Sequence, residues 1–216
     1  MNKIVLIFFF IAIFLKSESQ VISDAMGGRP LYQIEDPNLA GTVFLSKIWH
    51  PGIIRTSRGI EYNQLQLNFD IYQQMLVFII NDSIYQFTDP VKEFELNMSD
   101  KRVLKFLTSN QIHNLLPGKF VEELVKGKMN FYKHYKKIVV EISAYNSVSG
   151  TKQLEDKNSY FVIIDNQLEQ VNLNKKKLSE LLSNKWKEVA SFLEKNQLSA
   201  KTEAGWVQAI QFYNTL

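Results

Sequence analysis

The chain contains no cysteine. That excludes disulfides, cysteine nucleophiles and cysteine-based zinc sites, and it excludes a lipid anchor attached through a cysteine. A domain of this size can rely on its core without disulfides even outside the cell. Histidine is scarce: His50, His113 and His134 are the whole set. No two of them stand at ligand spacing and there is no His-Glu-x-x-His run, so each reads as a surface or loop histidine, with no metal site. The nucleophile elbow Gly-x-Ser-x-Gly is missing, as is a glycine-rich phosphate loop, and neither a catalytic residue nor a cofactor is assigned. No solenoid-length repeat and no low-complexity stretch occurs. Charge is not one-sided either. The formal charge is +3, which marks no dedicated polyanion binder and predicts no nucleic-acid partner.

The first thing present is a leader. Met1-Asn2-Lys3 is a short positive start, and Ile4 to Leu15 is an uninterrupted apolar run too short for an ordinary membrane span. Ser17 and Ser19 are the small residues that define a cut before Gln20. This order predicts a secretory signal peptide over residues 1–19, with no transmembrane span after cleavage and a periplasmic or extracellular destination. The alternative is a retained N-terminal anchor. Cleavage takes away Lys3, Lys16 and Glu18 and leaves a charge of +2.

The full sequence is 45% hydrophobic, enough for a real core. Residues 20–41 carry Gly27-Gly28, Pro30 and Pro37 without a period and read as an extended lead-in. Then a period of two sets in. Leu65, Leu67, Phe69 and Ile71 alternate with Gln66, Asn68 and Asp70, the pattern of a strand with one face in a core. Strands are predicted over 52–56, 60–72, 75–80, 83–88, 91–98, 102–107, 137–144, 160–164 and 167–171. Asn81-Asp82 and Asp165-Asn166 are the hairpin turns among them. Residues 119–125 suit a strand or a helix, with the strand reading favoured by the hairpin that Lys128 to Tyr135 would complete. Residues 146–157 read as polar and irregular. At Asn174 the period changes to about 3.6. Three short helices follow, with Ser183 and Thr202 as candidate caps for the second and third. The fold class predicted is α+β: an antiparallel β-meander sheet or open barrel over 42–172, followed by a small C-terminal helical cap over 173–216 packed on it.

Candidate sites are few. Lys126, Lys128, Lys133, Lys136 and Lys137 interleave with Phe131, Tyr132, His134 and Tyr135. Basic residues between aromatics can hold anionic glycan. Strand alternation would send Met129, Phe131 and Tyr135 inward and put Lys128, Tyr132, His134 and Lys136 on an exposed basic face. Those four, with Asp70 among the aromatics of the long strand, are the candidate ligand or anion contacts. The bland reading of Asp70 is a bend-former that accepts backbone N–H bonds. Glu93 and Glu95 share one face of a strand, and Glu122-Glu123 are adjacent, but paired carboxylates mean little without a cleft. Asp82-Ser83-Ile84 fits a short O-glycosylation pattern of exported bacterial proteins. Asn81-Asp82-Ser83 and Asn97-Met98-Ser99 are N-linked acceptors only in a eukaryotic host.

The order of these features carries a resemblance. Trp49 precedes Gly52 and a strand. Gly59-x-x-Tyr62 and Leu65-x-Leu67-x-Phe69-Asp70-Ile71-Tyr72 follow. Glu123-Leu124-Val125-x-Gly127-Lys128 leads into a Lys/Tyr-rich strand, then comes Tyr160-Phe161 with the Asp165-Asn166 turn, and the helices end in Phe212-Tyr213-Asn214. Over about residues 40–216 this resembles a group of uncharacterised exported proteins of Bacteroidota. The group has no assigned activity, so the resemblance implies an export route and carries no functional residue across. The function expected is a non-catalytic binding or accessory protein of the envelope, its partner an envelope glycan or another envelope protein. The alternative is an enzyme acting on envelope glycans through Asp70 or the Glu93/Glu95 face.

Overall fold

The computed structural model describes residues 28–31, 38–113, 116–142 and 151–216, with the backbone alone described at Gln64. The expected signal peptide lies outside them, as does most of the lead-in. Within the lead-in, Gly28–Pro30 forms β1 and Leu39–Ala40 forms β2. His50–Thr56 (β3), Glu61–Asp70 (β4), Met75–Ile80 (β5) and Ser83–Phe87 (β6) run as successive hairpins. Val91–Asn97 (β7), Val103–Thr108 (β8), Phe120–Val125 (β9) and Met129–His134 (β10) form a second run. Residues 120–125 are therefore strand, not helix. Lys137–Ile142 (β11) and Thr151–Asp156 (β12) make a separate hairpin, and Ser159–Ile164 (β13) with Gln167–Val171 (β14) makes the last. Asn81 and Asp82 have φ of 47° and 61°, Asp165 and Asn166 of 50° and 62°. These are the left-handed pairs that two-residue hairpin turns need and that Asn and Asp tolerate.

Eleven strands pair antiparallel in the order β1-β6-β5-β4-β3-β7-β8-β9-β10-β13-β14. Two meanders lie side by side, joined where β3 pairs with β7. A three-stranded sheet, β11-β12-β2, stands apart, with β2 parallel to β12. The large sheet is not a closed barrel, but it curls. Phe69 on β4 meets Phe106 on β8 at 5.5 Å and Phe120 on β9 at 5.9 Å between ring centroids. β4 and β9 are four strand spacings apart, about 19 Å in a flat sheet. Only a strong curl brings those rings together. Leu67, Phe78, Phe94 and Leu96 fill the same trough, each at most 1% exposed. One end of the trough is tied by a side chain: Gln74, in the β4–β5 turn, donates from Nε2 to the Tyr135 carbonyl at 2.8 Å.

Lys175–Leu181 (α1), Trp186–Lys195 (α2) and Glu203–Tyr213 (α3) complete the chain. The Asn174 side chain accepts from the Lys177 N–H at 2.8 Å and Thr202 Oγ1 from the Gly205 N–H at 3.2 Å, so two helix starts are capped. Ser183 does not cap α2; the residue before its first turn is Lys185, and no side chain caps it. The apolar faces of the helices cover Met129, Phe131, Val162 and Val171 of β10, β13 and β14. Trp206 of α3 packs on Phe131 at 5.7 Å, and Phe192 stacks on Phe212 at 4.4 Å between α2 and α3. The long strand β4 lies under its own curled sheet instead. Among the described residues no helix is long and apolar enough to cross a membrane.

The opposite sheet face carries a smaller core. Ile112, just after a 3₁₀ turn over Ser109–Gln111, packs with Val121, Tyr132, Phe161 and Ile163. This overturns the expected exposed basic face of β10. Tyr132 and His134 do point away from Met129 and Phe131, but they are 6% and 8% exposed. The β8–β9 connection folds over that face, a long-range event that local alternation does not contain.

Candidate functional site

The chemistry-bearing side chains converge at the seam between the curled trough and the helix-covered half. Glu122, Lys133 and Tyr160 occupy directly paired positions on β9, β10 and β13. Their side chains therefore share one face in a row. From the trough side, Tyr135 donates its hydroxyl to Glu122 Oε2 at 2.7 Å. From the helix side, Glu203 in the first turn of α3 accepts from Lys133 Nζ at 2.7 Å and from the Tyr160 hydroxyl at 2.7 Å. Lys133 Nζ also lies 4.3 Å from the centre of the Tyr135 ring. Within this range a cation is attracted to the ring face.

Burial sets the protonation of the row. Glu122 is 5% exposed, and loss of hydration holds its carboxyl above the usual range, opposed by the Tyr135 bond and by Lys133. Burial first, then the charge of Glu122 and the bond to it, push the Tyr135 phenol far up. Burial and the Glu203 bond do the same to Tyr160. Both phenols stay protonated and remain donors. The row thus joins α3 to the sheet, packed against the rings of Phe106 and Phe131, with Glu203 at its half-exposed end. Sequence reading found Glu122 only as half of an adjacent carboxylate pair. The signal available was parity: Lys133 sits between Phe131 and Tyr135 and must share their buried face.

The expected contacts do not form one site. Lys128 and Lys136 are exposed, at the turn before β10 and just after its end, while Tyr132 and His134 are buried between them. Burial pushes Tyr132 up to about 12. His134 is lowered to about 4, by burial first and by Lys119 and Lys136 after it. Its Nε2 stands 3.0 Å from Gln74 Oε1. That oxygen only accepts, since the Gln74 amide nitrogen is spent on Ile71 and Tyr135 carbonyls. The neutral ring therefore carries its proton on Nε2. His50 is buried as well, its Nε2 2.8 Å from Ser46 Oγ. His113 is exposed. Among the described residues no His, Asp and Glu cluster could hold a metal ion.

Asp70 ends β4, at the turn whose Gln74 meets His134. It is fully buried, and its Oδ1 accepts the Gln73 N–H at 2.7 Å, which pins the β4–β5 turn. Desolvation raises its carboxyl, with the Gln73 and Tyr72 N–H groups opposing. Its neighbour Asn68 is 2% exposed and donates Nδ2 to the Ser46 and Ile48 carbonyls at 2.9 and 3.3 Å. The polar face of β4 thus holds the chain excursion before β3. Glu93 and Glu95 face Arg55, whose Nη1 is 2.6 Å from Glu93 and 3.9 Å from Glu95 and whose Nε is 2.8 Å from Glu61. A guanidinium occupies the space that a sugar would need between them.

Among the described residues, a shallow depression of about 190 Å³ is lined by Gln74 to Leu76, Phe87 to Val91 and Phe120. It opens beside the trough. Its lining is mostly apolar, and its acidic member, Asp89, is engaged by Arg58. The chain matches no family model, no curated protein and no solved structure.

Proposed function

We propose that this chain is an exported envelope protein that acts as a non-catalytic binding or accessory module. In this reading the curled sheet is an open barrel, the helices cap one half of it, and the partner is an envelope glycan or another envelope protein. One observation supports it above the rest: the carboxylates, phenols and lysine of the seam are committed to one another inside, whereas the accessible depression offers Met75, Phe87, Val91 and Phe120. A shallow aromatic and aliphatic hollow suits recognition of an apolar group better than acid–base chemistry. Capture from native envelope extract tests the reading. The tagged protein is compared with Val91→Asp, which places a charge on the rim of the depression. A partner or glycan retained by the parent and lost by the variant is expected. The same material on both, or none on either, counts against it.

A further inference from the structure

The separate hairpin β11–β12 ends in an open strand edge. β12 is paired on both sides, with β11 and with β2, and among the described residues no strand pairs with the outer side of β11. Which groups face outward follows from the ladder. The Lys157 N–H donates to the Lys136 carbonyl at 2.7 Å, so residues 136, 138, 140 and 142 turn their backbone groups toward β12. The Lys152 N–H donates the other way, to Asn38 at 3.1 Å, which fixes the same alternation on β12. Lys137, Val139 and Glu141 therefore present their N–H and carbonyl groups to solvent. The edge has no proline, its two charges, Lys137 and Glu141, are of opposite sign, and Val139 and Ile142 are 38% and 43% exposed.

We propose that the edge of β11 pairs with the β11 edge of a second copy of this chain, antiparallel and two-fold symmetric about Val139. The residue order is self-complementary in that register. Val139 meets its own symmetry mate, and Lys137 meets Glu141 of the other copy twice over. About six backbone hydrogen bonds close the ladder. Within each copy Lys137 is already opposite Asp156, with Nζ 2.9 Å from its carboxylate, and Glu141 is opposite Lys152. Pairing extends these into rows across four strands: Asp156, Lys137, then Glu141 and Lys152 of the second copy, each charge beside its opposite. Between the rows runs Leu154, Val139, Val139, Leu154. A shift of two residues puts Lys137 opposite Val139 and loses both charge pairs, so register is specified as well as pairing. An isologous contact of this kind closes at two copies.

Sedimentation velocity of the purified full chain between roughly 1 and 100 µM tests the pairing. A concentration-dependent monomer–dimer equilibrium is expected. Glu141→Lys alone and Lys137→Glu alone each set like charges opposite and should weaken the dimer about tenfold or more. An equal mixture of the two variants restores both opposite-charge pairs and should dimerise like the parent. A parent that stays monomeric throughout, or a mixture that stays monomeric while both variants fold by circular dichroism, overturns the proposal. A second measurement does not depend on those variants. The chain lacks cysteine, and directly paired residues of such a ladder lie about 5.5 Å apart, within disulfide reach. Val139→Cys should oxidise in air to a covalent dimer and Ile142→Cys should not. Equal cross-linking of both, or of neither, excludes this register.

Discussion

The two halves of the large sheet bury the same face by different means. From β4 to β9 the sheet curls over itself without closing, and Phe69, Phe94, Phe106 and Phe120 fill the trough with rings 4.5 to 5.9 Å apart. From β10 to β14 it is open and needs α1, α2 and α3 as a second layer. Curling lets one sheet act as both layers of a core, provided large flat side chains span the gap. Where the curl ends, the polar row Glu122–Lys133–Tyr160 and Glu203 fastens the helices at the border.

The sharpest way to break this contrast is Phe69→Ala. It removes the ring shared by three others and should cost about 4 kcal/mol in denaturant unfolding. A cost under about 1 kcal/mol would mean that the trough does not depend on that ring. Trp206→Ala should cost slightly less, about 3 kcal/mol, because helix side chains can partly collapse onto Phe131. Near-native stability in this variant would show that the helices are ornaments on a self-sufficient sheet.

Next comes pH. The His134 ring has its pKa near 4 in the fold against an ordinary 6.5. Between those values the unfolded chain binds a proton that the folded chain refuses. Stability therefore falls as pH drops from about 6.5 toward 4. The raised carboxyls of Glu122 and Asp70 act in the opposite sense, favouring the fold at the acid end. Between pH 7 and 5, unfolding of the parent should lose about 2 kcal/mol more than unfolding of His134→Phe. Identical pH slopes would show that the ring is not held neutral. The smallest effects separate the two carboxylates of the seam. Glu203→Gln removes the charge that holds Lys133 and should cost about 1–2 kcal/mol. Glu122→Gln replaces a carboxyl that burial already drives toward neutrality and should cost under about 1 kcal/mol. The reverse order in thermal melts would reassign the charge of the row.

Much of this frame was legible in the residues. Period-two runs located β4 and β7, the apolar runs Met75 to Ile80 and Tyr160 to Ile164 located β5 and β13, the Asn-Asp and Asp-Asn pairs marked their turns, and Thr202 marked the start of α3. The misses share one cause. β12 holds Leu154 as its one buried apolar residue among Thr151, Lys152, Gln153, Glu155 and Asp156, so it is a strand only because β11 and β2 flank it. Asn68 looked solvated because the excursion over 43–49 that buries it is tied to β4 by contacts without a local pattern, whereas Asp70 does form the bend its residue type suggested, accepting the Gln73 N–H. Tyr132 was covered by the β8–β9 connection, and His134 is met by Gln74 of the distant β4–β5 turn. Lys133 and Glu203 meet across the whole C-terminal part of the chain, a pairing no spacing rule contains.

The curl is the claim on which both halves rest, and ring-to-ring distance tests it directly. Nuclear Overhauser contacts between the aromatic protons of Phe69 and Phe120 should be present, as centroids 5.9 Å apart require. Their absence in the folded protein, as a flat sheet with about 19 Å between those strands would give, would contradict the account.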